Sequence, residues 1–321
     1  MEESKALPPG AGILVPFAEL LGTTVENNRV VIPEKYGKGY TASYLFGKHI
    51  AMLVNNHVLN KEIAYKSRDY HLHKNMIFFK FRNITSASGI LLPEEKPKEL
   101  PSVLISTMGL NADIVVPRNI SRTDINIIVE ADYLRSLISS PEKTPVVQNI
   151  LKNNQQLLFE QVVSPSLQKV ADEIMTEQMD EPFELFFYRI KAEELVCRLL
   201  SELGKREENR IYPLNVKDIQ LIYKVKERML SHLDAPQTIE TLAEYAGMSV
   251  SKLKRLFKQI FGDSIFSYYQ GFRMKEAARL LREEKLSVSE VGYRLGFSNL
   301  SHFSAMFEQH IGMKPKRYSQ G

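Results

Sequence analysis

The pattern of apolar positions differs between the two ends of this chain. Between residues 26 and 130, short runs with partial alternation are separated by Gly, Pro and Asn, a pattern typical of strands joined by turns. This pattern predicts an all-β N-terminal domain, either a barrel or a sandwich. Strands are expected at residues 29–32, 49–58, 76–82, 103–107 and 124–129.

Helical spacing begins at residue 164. Two antiparallel helices are predicted over residues 167–179 and 183–203. Their apolar faces suit either packing beneath the β domain or a dimer interface, and both can hold. A charged run before Pro213 suits a linker. We therefore expect an α+β chain with four parts: a β-rich domain at 1–160, a helical hairpin at 161–206, a linker at 207–215 and an all-α domain at 216–321.

The all-α part contains a repeat. Residues 238–262 and 287–312 share an apolar frame in which a short helix ends at Gly247 or Gly296 and a second helix follows. Two helix-turn-helix units that begin 49 residues apart are a strong indication of a DNA-binding domain, whereas a single unit is also common in structural roles. The segment 264–284 predicts a connecting helix of about 30 Å, close to the ~34 Å between successive major-groove faces of DNA.

Polar residues mark the helix starts of both repeats. The first helices are expected to begin at Thr238 and at Ser287, where Glu290 completes the spacing of a capping box. Ser249 and Ser298 are expected to cap the second helices. Each repeat thus carries its own start and stop signals.

Charge is distributed unevenly along the chain. The net charge is +4, but residues 217–321 hold 17 Lys and Arg against 11 Asp and Glu, so the basic excess lies at the C-terminal end, as a phosphate-binding domain requires. The single cysteine excludes an internal disulfide and suits a reducing compartment. No secretory signal or membrane span is apparent, so we expect a cytoplasmic protein without membrane contact.

Three segments carry a family resemblance, over about a third of the chain. GMSVSKLKRLFKQIFG, then FRMKEAARLL, then VGYRLGFSNLSHFSAMFEQHIGMKPKRY closely resemble the DNA-binding domain of the AraC/XylS transcription regulators. The resemblance implies a regulator that contacts two successive major-groove segments of double-stranded DNA. It further implies a cupin-like N-terminal domain that senses a small-molecule effector, homodimerises or does both, with RNA polymerase as partner and activation as the usual outcome.

The exposed positions of the two second helices are the candidate DNA contacts. In the first unit, Lys254 and Arg255 are the best candidates for base contact, since Arg binds guanine in bidentate fashion. In the second unit, Ala305 and Glu308 stand where the family commonly has basic residues, so this unit is expected to contribute less. The complete set is Ser249, Ser251, Lys252, Lys254, Arg255 and Lys258 in the first unit, Asn299, Ser301, His302 and Ser304 in the second, and Lys314, Lys316 and Arg317 for phosphate.

The β-rich domain offers weaker candidates for a functional site. Asp69, His71 and His73 could share a metal on one strand face, but the glutamate that a metal-binding cupin needs after the second histidine is absent. No motif of a nucleophile, phosphate-binding loop or metalloprotease is present, so no enzyme activity, cofactor or metal is predicted. Scattered polar residues suit either a small-molecule pocket or packing alone: Asn55, His57, Lys80, Arg82 and Asn83.

Three functional hypotheses therefore stay open. The first is a ligand-gated regulator, and the second is a regulator controlled by a partner protein or by its abundance. The third, well behind, is a metal-binding cupin enzyme fused to a DNA-binding domain. Each assigns the same C-terminal third to DNA and differs in what residues 1–160 do.

Overall fold

The structure of the protein is a computed structural model that describes residues 11–65, 75–84, 101–107, 114–116, 118–141, 144–206 and 211–320. The chain divides into two compact units, Met1–Leu214 and Asn215–Gly321. Among the described residues, none of the helices has the length and apolar character needed to cross a membrane.

The first unit contains nine strands among its described residues. Each of the five predicted strands is present, with bounds shifted by up to three residues. The strands are β1 (Arg29–Val31), β2 (Gly37–Phe46), β3 (Ile50–Leu59), β4 (Ile63–Tyr65), β5 (Met76–Arg82), β6 (Ser102–Thr107), β7 (Ile114–Val116), β8 (Ser121–Glu130) and β9 (Leu158–Val162).

Helices complete the first unit and make up the described part of the second unit. A short 3-10 helix, Ala11–Ile13, precedes the first of them. The helices are α1 (Val15–Leu21), α2 (Ala131–Ser136), α3 (Pro145–Lys152), α4 (Pro165–Thr176), α5 (Glu181–Leu203), α6 (Val216–Leu230), α7 (Ile239–Tyr245), α8 (Val250–Phe261), α9 (Ile265–Arg282), α10 (Val288–Arg294), α11 (Leu300–Ile311) and α12 (Pro315–Tyr318).

Seven strands form one antiparallel sheet in the order β1-β2-β3-β8-β5-β6-β9, and β4 pairs with β7. This arrangement confirms the α+β prediction. Within the described strands β1 and β9 lie at opposite edges and do not pair, so the sheet is open and the closed-barrel form of the prediction is not observed. The cupin-like relationship stays a prediction.

One face of the sheet forms the core of the first unit. Successive side chains of a strand point to opposite faces, so residues such as Ile125, Ile127 and Val129 share one side. They pack with buried residues of α2 to α5, including Leu195 and Leu199 of α5. The helical hairpin thus packs on the sheet through one face of its second helix, which is one of the two arrangements that the sequence left open.

The second unit is built on two helix-turn-helix cores joined by α9. The second core contains Met274, Ala277 and Leu281 of α9 together with Phe303 and Phe307 of α11. At the other end of α9, Tyr268 lies edge-on to Phe257 of α8, with ring centroids 5.5 Å apart. The connecting helix therefore contacts both cores, over 18 residues instead of the predicted 21.

The turns of the two helix-turn-helix units are glycine turns, as predicted, but the two turns differ in their surroundings. Gly247 (φ +59°) and Gly296 (φ +78°) both adopt the left-handed conformation that other residues avoid. A Cβ at Gly247 would have no atom within 4 Å, whereas a Cβ at Gly296 would lie 1.9 Å from the carbonyl oxygen of Asp234. The second turn is thus seated against the segment that joins α6 to α7.

This difference predicts unequal effects of alanine at the two turns. Gly247→Ala should cost about 1 kcal/mol of unfolding free energy, because only the backbone conformation is strained. Gly296→Ala should cost about 3 kcal/mol, because the added methyl group also overlaps a backbone carbonyl. Urea unfolding of both full-length variants measures the difference. Equal losses would contradict the close contact at Asp234.

Candidate nucleic-acid interface

Helix α8 is the second helix of the first unit and the most basic candidate surface. It begins at Ser249, whose side chain accepts a hydrogen bond from the backbone N–H of Lys252. Leu253, Leu256 and Phe257 are buried, which fixes one side of the helix in the core. The polar residues between them must therefore face outward.

Five of the six residues predicted for the first unit are exposed. They are Ser249, Ser251, Lys254, Arg255 and Lys258. Three of these carry positive charge on two consecutive turns of one helix, the arrangement that attracts a phosphate backbone and can present donors to a groove.

Lys252 differs from its neighbours. Its Nζ lies 2.9 Å from Oδ1 of Asp218 on α6, and its side chain is 39% exposed against 15% for the carboxylate. The prediction placed Lys252 with the DNA contacts, and the structure places it in an ion pair between α6 and α8. Nothing in the local sequence indicates this partner, which lies 34 residues earlier.

Helix α11 presents a less basic surface. Its N-cap is Asn299 rather than the expected Ser298, and the Asn299 Oδ1 accepts hydrogen bonds from the N–H groups of Ser301 and His302 at 2.9 and 3.1 Å. Asparagine suits the N-cap position because its side-chain oxygen accepts hydrogen bonds from two backbone N–H groups of the first turn that have no partner within the helix. Its amide oxygen is thus committed to the helix end.

The other predicted contacts of the second unit vary in exposure. Ser301 and His302 are exposed, and the His302 ring lies 5.9 Å from that of Phe297. Ser304 is only partly exposed, while Ala305 and Glu308 are exposed. The outer surface of α11 therefore has a carboxylate and no Lys or Arg.

A buried arginine that the sequence did not reveal joins α9 to the second helix-turn-helix unit. Arg273 is 4% exposed. Its guanidinium donates to Oε1 of Gln270 at 3.0 Å and to the carbonyl oxygen of Leu295, at the end of α10. It also lies 4.1 Å from the ring centroid of Phe297. Burial lowers the Arg273 pKa, although nearby Tyr269 and Asp234 oppose that shift.

A second link between these helices is ionic. Glu284, just beyond α9, accepts from Arg279 at 2.9 Å and from Arg294 of α10 at 3.0 Å. At the start of α10, Ser287 and Glu290 form the predicted capping box. The hydrogen bonds from Ser287 lower the pKa of Glu290. The first helix of the second unit is thereby fixed to the end of the connecting helix.

The predicted phosphate contacts lie at the C-terminal end. Lys314, Lys316 and Arg317 are exposed around the short helix α12, which the sequence analysis did not predict. Tyr318 of that helix packs edge-on against Phe307, with centroids 5.5 Å apart. The three cations are therefore attached to the core of the second unit.

The metal hypothesis concerns residues outside the described part of the chain. Asp69, His71 and His73 all fall there. Across the residues that the structure describes, no group of three His, Cys, Asp or Glu side chains is placed to hold a metal ion.

Comparison with known proteins identifies the type of domain in the C-terminal compact unit. A family described as a helix-turn-helix domain matches residues 242–321. The regulatory protein PchR of Pseudomonas aeruginosa is 35% identical over 127 residues, 38% of this chain and 42% of that protein. The transcriptional activator RhaS of Escherichia coli is 34% identical over 82 residues, 26% of this chain and 30% of that protein. The chain thus matches less than half the length of either relative.

Similarity to solved structures also covers only part of the chain. An AraC-type DNA-binding domain protein from Chromobacterium violaceum is 28% identical, with a TM-score of 0.31, and the match covers 33% of this chain and 95% of that one. Both of the relatives named above are regulators by name, in line with the prediction of a regulator. The C-terminal unit of this chain carries a helix-turn-helix domain of the AraC type, the part of the chain that it shares with these regulators.

Proposed function

We propose that the protein is a sequence-specific, effector-responsive transcription activator that acts as a homodimer in the cytoplasm. The observation that carries the DNA-binding part is the basic exposed face of α8, which projects from a helix-turn-helix core. A helix of this diameter fits the major groove of B-DNA. The proposed domain limits are those of the sequence analysis, with residues 216–321 as the DNA-binding part.

The two recognition helices have unequal roles in this proposal. Lys254 and Arg255 of α8 make the base contacts, and Ser249, Ser251 and Lys258 support them along the backbone. Lys252 positions α8 through Asp218. In α11, Ser301 and His302 meet the second groove with little charge, Asn299 secures the start of that helix, and Ser304 contributes little because it is partly covered.

The length of α9 supports simultaneous contact with two major-groove segments. Its 18 residues span about 27 Å, and the flanking turns add to that distance. Successive major-groove segments on one side of B-DNA lie about 34 Å apart. Arg273 and Glu284 hold α10 to α9, so the second helix-turn-helix unit acts as an anchor at a set distance from the first. Lys314, Lys316 and Arg317 supply its phosphate contacts.

Base contact by Arg255 predicts a change in sequence preference. After genomic footprinting has defined the target site, Arg255→Ala should lose about 1–3 kcal/mol of discrimination at one base pair, because a bidentate contact to guanine is removed. Ser304→Ala should leave affinity and preference within twofold of wild type. Fluorescence anisotropy titrations against single-base operator variants measure both. Equal losses in the two variants would contradict the proposed division of roles.

The proposed dimer uses α5. The C-terminal half of this helix packs into the core, but its first turns expose Phe183 (62%), Phe186 (64%) and Ile190 (45%). Spacings of three and four residues place these side chains on one face of the helix. Exposed aromatic and aliphatic groups clustered in this way are typical of a protein interface. A second copy of this chain is the proposed occupant.

Disruption of this face should produce monomers. Phe186→Asp places a charge in the proposed interface and should lower the mass in sedimentation velocity to that of one chain. Leu185→Asp is the matched control, because Leu185 is 40% exposed but lies about 100° around the helix, so dimers should persist. A wild-type monomer at micromolar concentration, or a dimeric Phe186→Asp variant, would refute the interface.

Activation through RNA polymerase and gating by a small molecule complete the proposal. The activator named among the relatives supports the first. The second competes with control by a partner protein or by abundance, in which case no small molecule would stabilise the protein. What favours a ligand is a set of buried polar groups in the first unit.

A further inference from the structure

A cleft of about 400 Å³ lies along the second half of α6, where that helix meets α7. Lys224, Glu227 and Arg228 of α6 line it, together with Tyr245 of α7 and Gln237 from the segment before α7. Spacings of three and four residues place the three α6 side chains on one face of their helix. The cleft contains none of the DNA contacts that the sequence predicts, so it is a separate surface of the same domain.

Arg228 is held in a fixed orientation in this cleft. Its Nε donates to Oε1 of Gln237 at 3.0 Å, and its guanidinium carbon lies 4.3 Å from the centroid of the Tyr245 ring. Contact with the ring and a bond at Nε together fix the guanidinium plane. Gln237 takes one of the five N–H donors of the group. The two terminal nitrogens have no acceptor among the described residues, so their donors are available to a ligand.

The charges of the cleft favour an anion. The partners of Arg228 are a neutral amide and an aromatic ring, which leave its positive charge in place. Lys224, one turn earlier on α6, is exposed and supplies a second cation. Glu227 is also exposed and is the one carboxylate among the described residues that line the cleft. Two cations, one of them a planar donor with a fixed orientation, suit a phosphate group.

The corresponding place in the second helix-turn-helix unit is neutralised. Tyr245 and Arg294 each lie two residues before the glycine of their turn. Arg294 donates to Glu284 at 3.0 Å, and Arg279 of α9 donates to the same carboxylate at 2.9 Å. The cations of the second unit are thus bound to a carboxylate of the domain itself. At this place, only the first of the two units keeps a cation with neutral partners.

The position of the cleft relative to α8 suits contact with the DNA backbone. Lys252 of α8 pairs with Asp218 near the start of α6, and Arg228 follows Asp218 by ten residues, about 15 Å along the helix axis. The major groove is about 12 Å wide, and the first helix of a helix-turn-helix unit, here α7, crosses the backbone. Tyr269 of α9 donates to the carbonyl oxygen of His232 at 2.8 Å, which fixes the end of α6 to the connecting helix.

We propose that this cleft binds a phosphate group of the DNA backbone at the edge of the groove that α8 enters, through the terminal nitrogens of Arg228 and the ammonium of Lys224. The inference rests on the proposed DNA-binding function and adds a contact that does not depend on base sequence, because phosphates carry no sequence information. Gln237 and Tyr245 position Arg228 for this contact, and Glu227 weakens the contact by repulsion.

The test is DNA binding by full-length variants over a series of salt concentrations. One duplex carries the site defined by genomic footprinting, and a second duplex of equal length has an unrelated sequence. Arg228→Gln should weaken binding to both duplexes by the same factor, about fivefold at 0.1 M salt. It should also reduce the slope of log K against log salt concentration by about 0.9, the value for one phosphate. Lys224→Gln should change both quantities in the same direction.

A variant of opposite sign and a matched control accompany these two. Glu227→Gln should strengthen binding to both duplexes by about twofold, because a charge that repels phosphate is removed. Lys48→Gln removes a positive charge from an exposed turn of the first unit and should change neither affinity nor slope. Circular dichroism melting should give a Tm within about 3 °C of wild type for each variant, as is usual for exposed substitutions. If Arg228→Gln melts lower, the exposed Lys224 and Glu227 variants decide.

The outcomes separate this inference from the proposed function. An unchanged salt slope in the folded Arg228→Gln variant, a loss of affinity confined to the footprinted duplex, or weaker binding by Glu227→Gln would each overturn the inference. If wild type binds the footprinted duplex and all three cleft variants bind it equally well, the proposed DNA-binding function stands without this phosphate contact. If wild type binds neither duplex, the proposed function and the inference fail together.

Discussion

Helix α9 is packed into both helix-turn-helix cores, and the spacing of the recognition helices depends on that packing. Tyr268 contacts the first core at Phe257, and Met274 with Ala277 belongs to the second. Close-packed side chains leave little freedom to slide, so the distance and rotation between the units are set by the helix. Arg273 adds polar contacts at the end of α10, in the place where a purely apolar contact would permit rotation.

Because α9 sets the spacing between α8 and α11, the two helices can contribute unequally to DNA binding in the proposed function. In the proposed mode of binding, charge and hydrogen bonds hold α8 in one groove, and α9 then places α11 at the next groove. The second helix then needs fewer attractive contacts of its own, which suits a surface with Ala305 and Glu308. In the same proposal, the positive charges of Lys314, Lys316 and Arg317 around α12 offset that carboxylate.

Local signals made the two repeats of the C-terminal unit predictable, whereas contacts between residues far apart in sequence could not be predicted in either unit. Glycine turns, caps and helical spacing each involve residues a few positions apart, so the repeat of 238–262 and 287–312 could be found from sequence. The Lys252–Asp218 pair and the buried Arg273 depend on partners more than twenty residues away. The open sheet depends on which strands pair, which alternation alone does not specify. The choice of Asn299 over Ser298 as a cap shows that even a local signal is ambiguous by one residue.

The two faces of the sheet impose different demands on the same strands. The apolar face is stabilised by burial alone, whereas the polar face must satisfy every group that it removes from water. On that face the carboxylates of Asp124 and Glu160 lie beside the guanidinium groups of Arg122 and Arg82, which replace the water that burial removes.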